Sequence, residues 1–395
     1  MTQTYNQTRD FIRLNLQTIF SNRLDDSKLE CLADELSAKA NREDDFIQFA
    51  DRCIETFKHD PAWPDRSQIA APKPILEGWD AIPQLLTGGK TPALLALFHH
   101  GMHRQLITDL AARGISMVIP IAPKAVPVYE RLKASYPTAI EDRFEFVSVA
   151  DPAVGRKLLR GLRNGRVGVF YVDGGMGPNA SEIGALEQKD QIVPFLDRRL
   201  RIKSGLTRMA VRLGLTVLPV FARSTCPDQT KGRVHFGDPI EPHADQARET
   251  AEQLVCDEVF RQFSKELLSD PVSWEFLSYL HRFVVPEQPI KNNLPHSLDA
   301  IPDGACLQLS KERVGTLRRG KQHFLIDTLT QSGYRIPDSL VDMMQAMQTN
   351  GVNVRALRQF IRADSTEQTT PFLETLLAEQ MIAPAATRTG ANRTL

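Results

Sequence analysis

The chain has 395 residues, 42% of them hydrophobic and 24% charged, and its 48 basic residues balance 48 acidic ones. That length exceeds one ordinary core and fits two domains, and the composition excludes disorder over most of the chain. A net charge of zero gives no bulk electrostatic case for nucleic acid or an anionic membrane as main partner, while Cys31, Cys53, Cys226, Cys256 and Cys306 are too scattered for a disulfide framework or structural zinc.

A reducing cytoplasm is therefore the expected setting. The polar start, Met1–Asp10, lacks the basic-then-apolar order of a signal peptide, and no apolar run reaches spanning length, so no integral membrane segment is expected.

From Thr8 to about Phe57, apolar residues recur at helical spacing: Phe11, Leu14, Leu16 and Ile19, then Leu29, Leu32 and Leu36. This predicts two or three amphipathic helices, a segment over 1–72 packed on the core that follows. His59–Lys73, with Pro61, Pro64 and Pro72, reads as a connector.

An α/β domain is expected over 73–284. Predicted strands at Ala93–Phe98, Met117–Ile121, Phe144–Val149, Val167–Val172 and Thr216–Phe221 alternate with predicted helices at Arg104–Arg113, Val128–Ser135, Val154–Arg163 and Gly205–Leu213. Apolar, β-branched strands each followed by an amphipathic helix imply a largely parallel sheet covered on both faces. Ala244–Phe283 reads as helical, and 285–300, with Pro286 and Pro289, as a linker. Over 301–384 the pattern becomes small α+β and winged-helix-like: strands within Arg313–Ile336, then helices near Ser339–Gln348, Val354–Ile361 and Pro371–Gln380. Residues 385–395 read as a disordered tail.

Ligands of parallel sheets gather at the carboxyl ends of strands. The run Leu94-Leu95-Ala96-Leu97-Phe98-His99-His100-Gly101-Met102-His103 delivers three imidazoles to such an end. A neutral imidazole there can take a proton from an attacking hydroxyl or amine, and Gly101 would let substrate approach the backbone. A lone histidine would more simply cap the strand, but three within five positions favour function. A second strand, Gly168–Val172, delivers Asp173 onto Gly174 and Gly175; Asp-Gly is also an ordinary turn signal, and its weight comes from pairing with His99. Arg199, Arg201 and Lys203 precede a predicted helix, and Arg223 follows a strand. These cations would hold a phosphate-bearing arm or an acidic carrier surface, with a solvated charged loop as the plainer reading.

In their order and spacing, these blocks resemble the lipid A biosynthesis acyltransferase family, within the glycerolipid and lysophospholipid acyltransferase superfamily. The resemblance covers about Gly78 to Pro242. His99-His100-Gly101 stands where the family has His-x-Gly, Val172-Asp173 at its later strand-Asp block, and Val193–Arg223 resembles its Pro-Phe-Phe-Gly…Pro-Val…Arg block. The resemblance implies transfer of an acyl group from a thioester, on an acyl or peptidyl carrier protein or on CoA, to a hydroxyl or amine. His99 would be the general base and His100, Gly101, His103, Arg104, Gly174, Gly175, Arg199, Arg201, Lys203 and Arg223 the substrate-binding set. No cofactor is implied beyond the acyl thioester as co-substrate, and no nucleic acid partner.

Two departures stand out. The family's acidic residue five positions after the histidine is Arg104 here, and its membrane anchor has no counterpart. Residues Ala305–Ala383 resemble PqqD-like modules, which implies a peptide bound at a strand edge. Two other readings stay open: a metal-dependent enzyme using His99 and His103, four residues apart, and a non-catalytic acyltransferase fold that holds a carrier protein or peptide.

Overall fold

The computed structural model describes residues 9, 12–17, 19–20, 24–40, 76–79, 86, 93–135, 138–173, 190–225, 232–277, 280, 283–285, 297–310, 313–319, 321–328, 330, 332–363 and 368–384. Contacts divide the chain into two units, 1–37 with 286–395, and 38–285. The expected grouping of 1–72 with the α/β core differs from this. Residues 12–17 and 19–20 are helical, followed by helix α1 (Asp26–Ala40). Within their unit, Gln17 Nε2 donates to the Val314 carbonyl at 3.2 Å, and Leu14 lies over Gly315, where a Cβ would meet its Cδ1 at 2.1 Å. The expected connector and all of 41–72 lie outside the described residues.

The larger unit is built on a seven-stranded sheet. Its strands are β1 (Leu76–Glu77), β2 (Leu94–Leu97), β3 (Met117–Ile121), β4 (Phe144–Ser148), β5 (Val167–Tyr171), β8 (Val217–Ser224) and β9 (Gly232–Phe236), in spatial order β1-β9-β8-β2-β5-β3-β4. All pairings are parallel except β8 with β9. Helices α2 (His103–Ala112), α3 (Val126–Ser135), α4 (Thr138–Glu141), α5 (Val154–Arg163) and α6 (Gly205–Leu213) connect the strands. The sheet is thus the covered, mostly parallel one that the alternating pattern predicts.

Leu94–Leu97 are fully buried, as a strand covered on both faces requires. Helix α7 (Arg248–Ser269) lays Val255, Val259, Phe260, Phe263 and Leu267 on the sheet, with Phe263 stacked on Phe98 at 3.8 Å between centroids. It ends at Asp270-Pro271, since the residue before proline is driven out of the α region. The expected helix to Phe283 therefore stops short. A hairpin of β6 (Asp190–Phe195) and β7 (Arg198–Lys203) stands apart from the main sheet.

The C-terminal unit forms a meander, β11 (Val314–Arg319), β12 (Gln322–Asp327) and β13 (Ser332–Ile336). It also holds helices α8 (Val341–Thr349), α9 (Val354–Ala363) and α10 (Thr369–Ala378). A second small sheet, β10 (Cys306–Leu309) between β14 (Val352–Asn353) and β15 (Ile382–Pro384), has no counterpart in the predicted elements. Residues 286–296 of the expected linker and the tail 385–395 lie outside the described residues, while Leu298–Ala300 forms a 3-10 turn. Among the described residues no helix is long and apolar enough to cross a membrane. Cys31, Cys256 and Cys306 are free; Cys53 and Cys226 lie outside.

Candidate active site

His99 follows β2 and Asp173 follows β5, the strand hydrogen-bonded to it in parallel register. Parallel neighbours deliver the residues after them to one edge of the sheet, so two positions 74 apart in sequence become partners. His99 Nδ1 lies 2.8 Å from Asp173 Oδ1, and the His99 backbone N–H donates to Oδ2 at 2.9 Å. The Trp274 indole N–H donates to the same Oδ2 at 2.8 Å.

Asp173 is wholly buried. Removing an ionised carboxylate from water costs several kcal/mol unless its lone pairs are well used, and three donors use them here. Because the carboxylate only accepts, the proton of a neutral His99 sits on Nδ1 and Nε2 presents a lone pair. The His99 side chain keeps 17% exposure. Its walls are Tyr171 at 4.5 Å and Phe276 at 4.4 Å between centroids, with His103 edge-on at 5.0 Å. Burial pushes the Tyr171 phenol well above its usual pKa, so it stays neutral.

The other singled-out residues divide. His103 opens α2 and is buried; burial, helped by the charge on Arg104, pushes its imidazole well below the usual value. Arg104 forms a two-pronged ion pair with Glu275, through Nη1–Oε1 and through Nη2–Oε2 at 2.9 Å. His100, beyond the end of β2, packs edge-on against Phe263 at 5.9 Å between centroids, and its Nε2–H donates to the Asp270 carbonyl at 2.9 Å. Burial lowers its pKa too.

Gly101 has φ +58°, and a Cβ there would meet the Ala222 carbonyl oxygen at 2.1 Å. The close approach that demands glycine is thus made by the protein's own backbone, where the sequence reading assigned it to substrate. Met102 N–H donates to that same carbonyl at 2.7 Å.

Arg199, Arg201 and Lys203 lie on β7, a strand absent from the predicted elements. They share one face, opposite buried Leu200 and Ile202, and Lys203 pairs with Asp190 at 2.9 Å. Arg223 forks onto Glu266 of α7, with Nη2–Oε2 at 2.5 Å. Gly174 and Gly175 lie outside the described residues. Among the described residues, no three His, Cys, Asp or Glu side chains converge in a way that could hold a metal ion.

Sequence reasoning missed Trp274, Glu275 and Phe276, which were absorbed into a long expected helix. The signal that frees them is Pro271, which ends α7 and turns the chain back over the site, where Glu275 N–H donates to the His99 carbonyl at 2.9 Å.

No family model matches the chain, and no curated protein matches it by sequence. Among solved structures it is similar to the 1-acyl-sn-glycerophosphate acyltransferase PlsC from Thermotoga maritima, at a TM-score of 0.29 and 14% identity, over 68% of this chain and 98% of that one. A likeness of that score leaves the chemistry to be argued from the side chains.

Proposed function

We propose that the chain is an acyltransferase of the kind its sequence blocks resemble, moving an acyl group from a carrier-protein or CoA thioester to a hydroxyl or amine, with His99 as general base. The observation that carries this reading is the buried Asp173 carboxylate on His99 Nδ1, which leaves Nε2 as the basic atom. Arg104, where the resembled family has an acid, is no obstacle, because the acid comes from another strand.

In this mechanism His99 Nε2 accepts the proton of the acceptor's O–H or N–H as the oxygen or nitrogen forms a bond to the thioester carbonyl carbon. The carbonyl electron pair moves to oxygen. Its return breaks the C–S bond, and the departing sulfur takes the proton back from the imidazolium. Asp173 stays ionised throughout, holding the ring and stabilising its charged form. Tyr171 and Phe276 limit water at the ring. The cationic face of β7, with Arg199 exposed, is the candidate site for the phosphate of a pantetheine arm.

Purified protein incubated with acyl-loaded carrier protein and a panel of amines and alcohols, read by mass spectrometry, tests the reading. Transfer that disappears in His99→Ala is expected. Absence of transfer with every acceptor, or full transfer by the variant, overturns it.

A further inference from the structure

Helix α5 carries Arg156, Lys157, Arg160 and Arg163 in ten residues with no acid, in a chain of zero net charge. Leu158, Gly161 and Leu162 are buried. Arg156, Arg160 and Arg163, at i, i+4 and i+7, form an exposed outward stripe, with half-buried Leu159 beside it.

Helix α9 gives a contrast, since two of its arginines are met by nearby groups. Its Arg358 pairs with Asp303 and donates to the Leu298 and Ile301 carbonyls at 2.7 and 2.8 Å, and its Arg355 lies 3.7 Å from Asp303. On α5 two nearby acids match the four cations only in part. Asp151 holds Lys157 at 2.5 Å and exerts only a longer-range pull on Arg156. Glu145 is shared by Arg166 at 3.3 Å and Arg160 at 3.4 Å. Among the described residues Arg163 makes no hydrogen bond or ion pair.

The stripe is also well placed. Strand β4 ends at the same sheet edge as His99, so Arg156 lies toward that edge and Arg163 about 10 Å further down the helix. Val149, 53% exposed in the turn between β4 and α5, adds an apolar spot at that end. Strand β4 is three places from β2 in the sheet, roughly 14 Å. A partner seated on α5 therefore needs an extended arm to bring an acyl group to His99.

We propose that the outward face of α5 docks an acidic carrier protein, its arginine stripe against a carboxylate-rich helix and its acyl group borne on a long arm. This rests on the acyl-transfer reading and commits it to a carrier-borne donor over CoA. Such complementarity acts chiefly on encounter and register.

The test is the triple variant Arg156→Glu, Arg160→Glu, Arg163→Glu, assayed with carrier-bound acyl donor and with the same acyl group on N-acetylcysteamine, a short neutral thioester. An increase in KM of about tenfold or more for the carrier donor is expected, with turnover of the short thioester unchanged, which also certifies the fold. Unchanged KM for the carrier donor overturns the inference while leaving acyl transfer standing. Loss of binding to phosphatidylglycerol vesicles without any change in carrier kinetics would reassign the stripe to a membrane surface. Wild-type protein that transfers from neither donor removes the functional reading and the docking surface with it.

Discussion

Asp173 and Asp327 are both wholly buried, one just beyond a strand of the large sheet and one at the end of β12, yet they are held in opposite ways. Asp327 faces Arg313, which donates through Nε at 2.8 Å and also through Nη2, and the Thr330 hydroxyl donates at 2.7 Å. Asp173 faces an imidazole with an open edge and an indole. A guanidinium never gives up its proton, so the Arg313 pair can only hold structure. An imidazole held through Nδ1 keeps a second ring nitrogen open, which the proposed transfer needs. The buried carboxylate alone does not mark a candidate site; the chemistry and exposure of its partner do.

The sharpest way to break this comparison is Asp173→Asn. An amide in that place reverses the hydrogen-bond preference at Nδ1 and favours the tautomer that blocks Nε2, so acyl transfer in single-turnover assays should fall about 10⁴-fold. A loss below about tenfold would make Asp173 as structural as Asp327.

Next comes Asp327→Asn, which leaves the Arg313 charge unmatched and should cost about 3–5 kcal/mol of stability in urea titrations. Acyl transfer at low temperature, where the variant is folded, should be unchanged. Lost transfer in a folded variant would mean that the second carboxylate serves chemistry after all.

The smallest effect sharpens the comparison from the histidine side. Native His103 is held well below the ordinary value of 6.5, so below that pH the unfolded chain binds a proton that the folded one does not. Stability from this group is complete above about pH 6.5 and is lost as pH falls, by at most about 1.4 kcal/mol per unit. His103→Phe should lessen the loss between about pH 6.5 and 5.5 by about 1 kcal/mol in urea titrations, and an unchanged acid slope would count against a neutral buried His103.

Much of the large sheet was legible because its strands are apolar runs too short for helices and each is followed by an amphipathic stretch. Met117–Ile121, Val154–Arg163 and Gly205–Leu213 form as predicted. The meeting of His99 and Asp173 was also within reach, since both follow strands of a parallel sheet. The β6–β7 hairpin was not, because Arg198–Lys203 alternates cations with Leu200 and Ile202 and so hides a half-buried strand inside a charge run. Trp274 could not be assigned to Asp173 either, as a contact across 101 positions leaves no local periodicity. His100 shows the limit of counting imidazoles: its ring bonds the Asp270 carbonyl and packs on Phe263 while His99 meets Asp173, so neighbours in sequence have different partners in space.

The crossing at Gly101 restricts what can be altered around His99. With the backbone of Ala222 pressed against it and a left-handed turn imposed, this position tolerates no side chain, not even a methyl. Libraries that vary the surroundings of His99 should therefore hold residue 101 fixed and draw diversity from the segment carrying Glu275 and Phe276. That segment borders the imidazole, yet in sequence it is far from the strand-to-helix hinge.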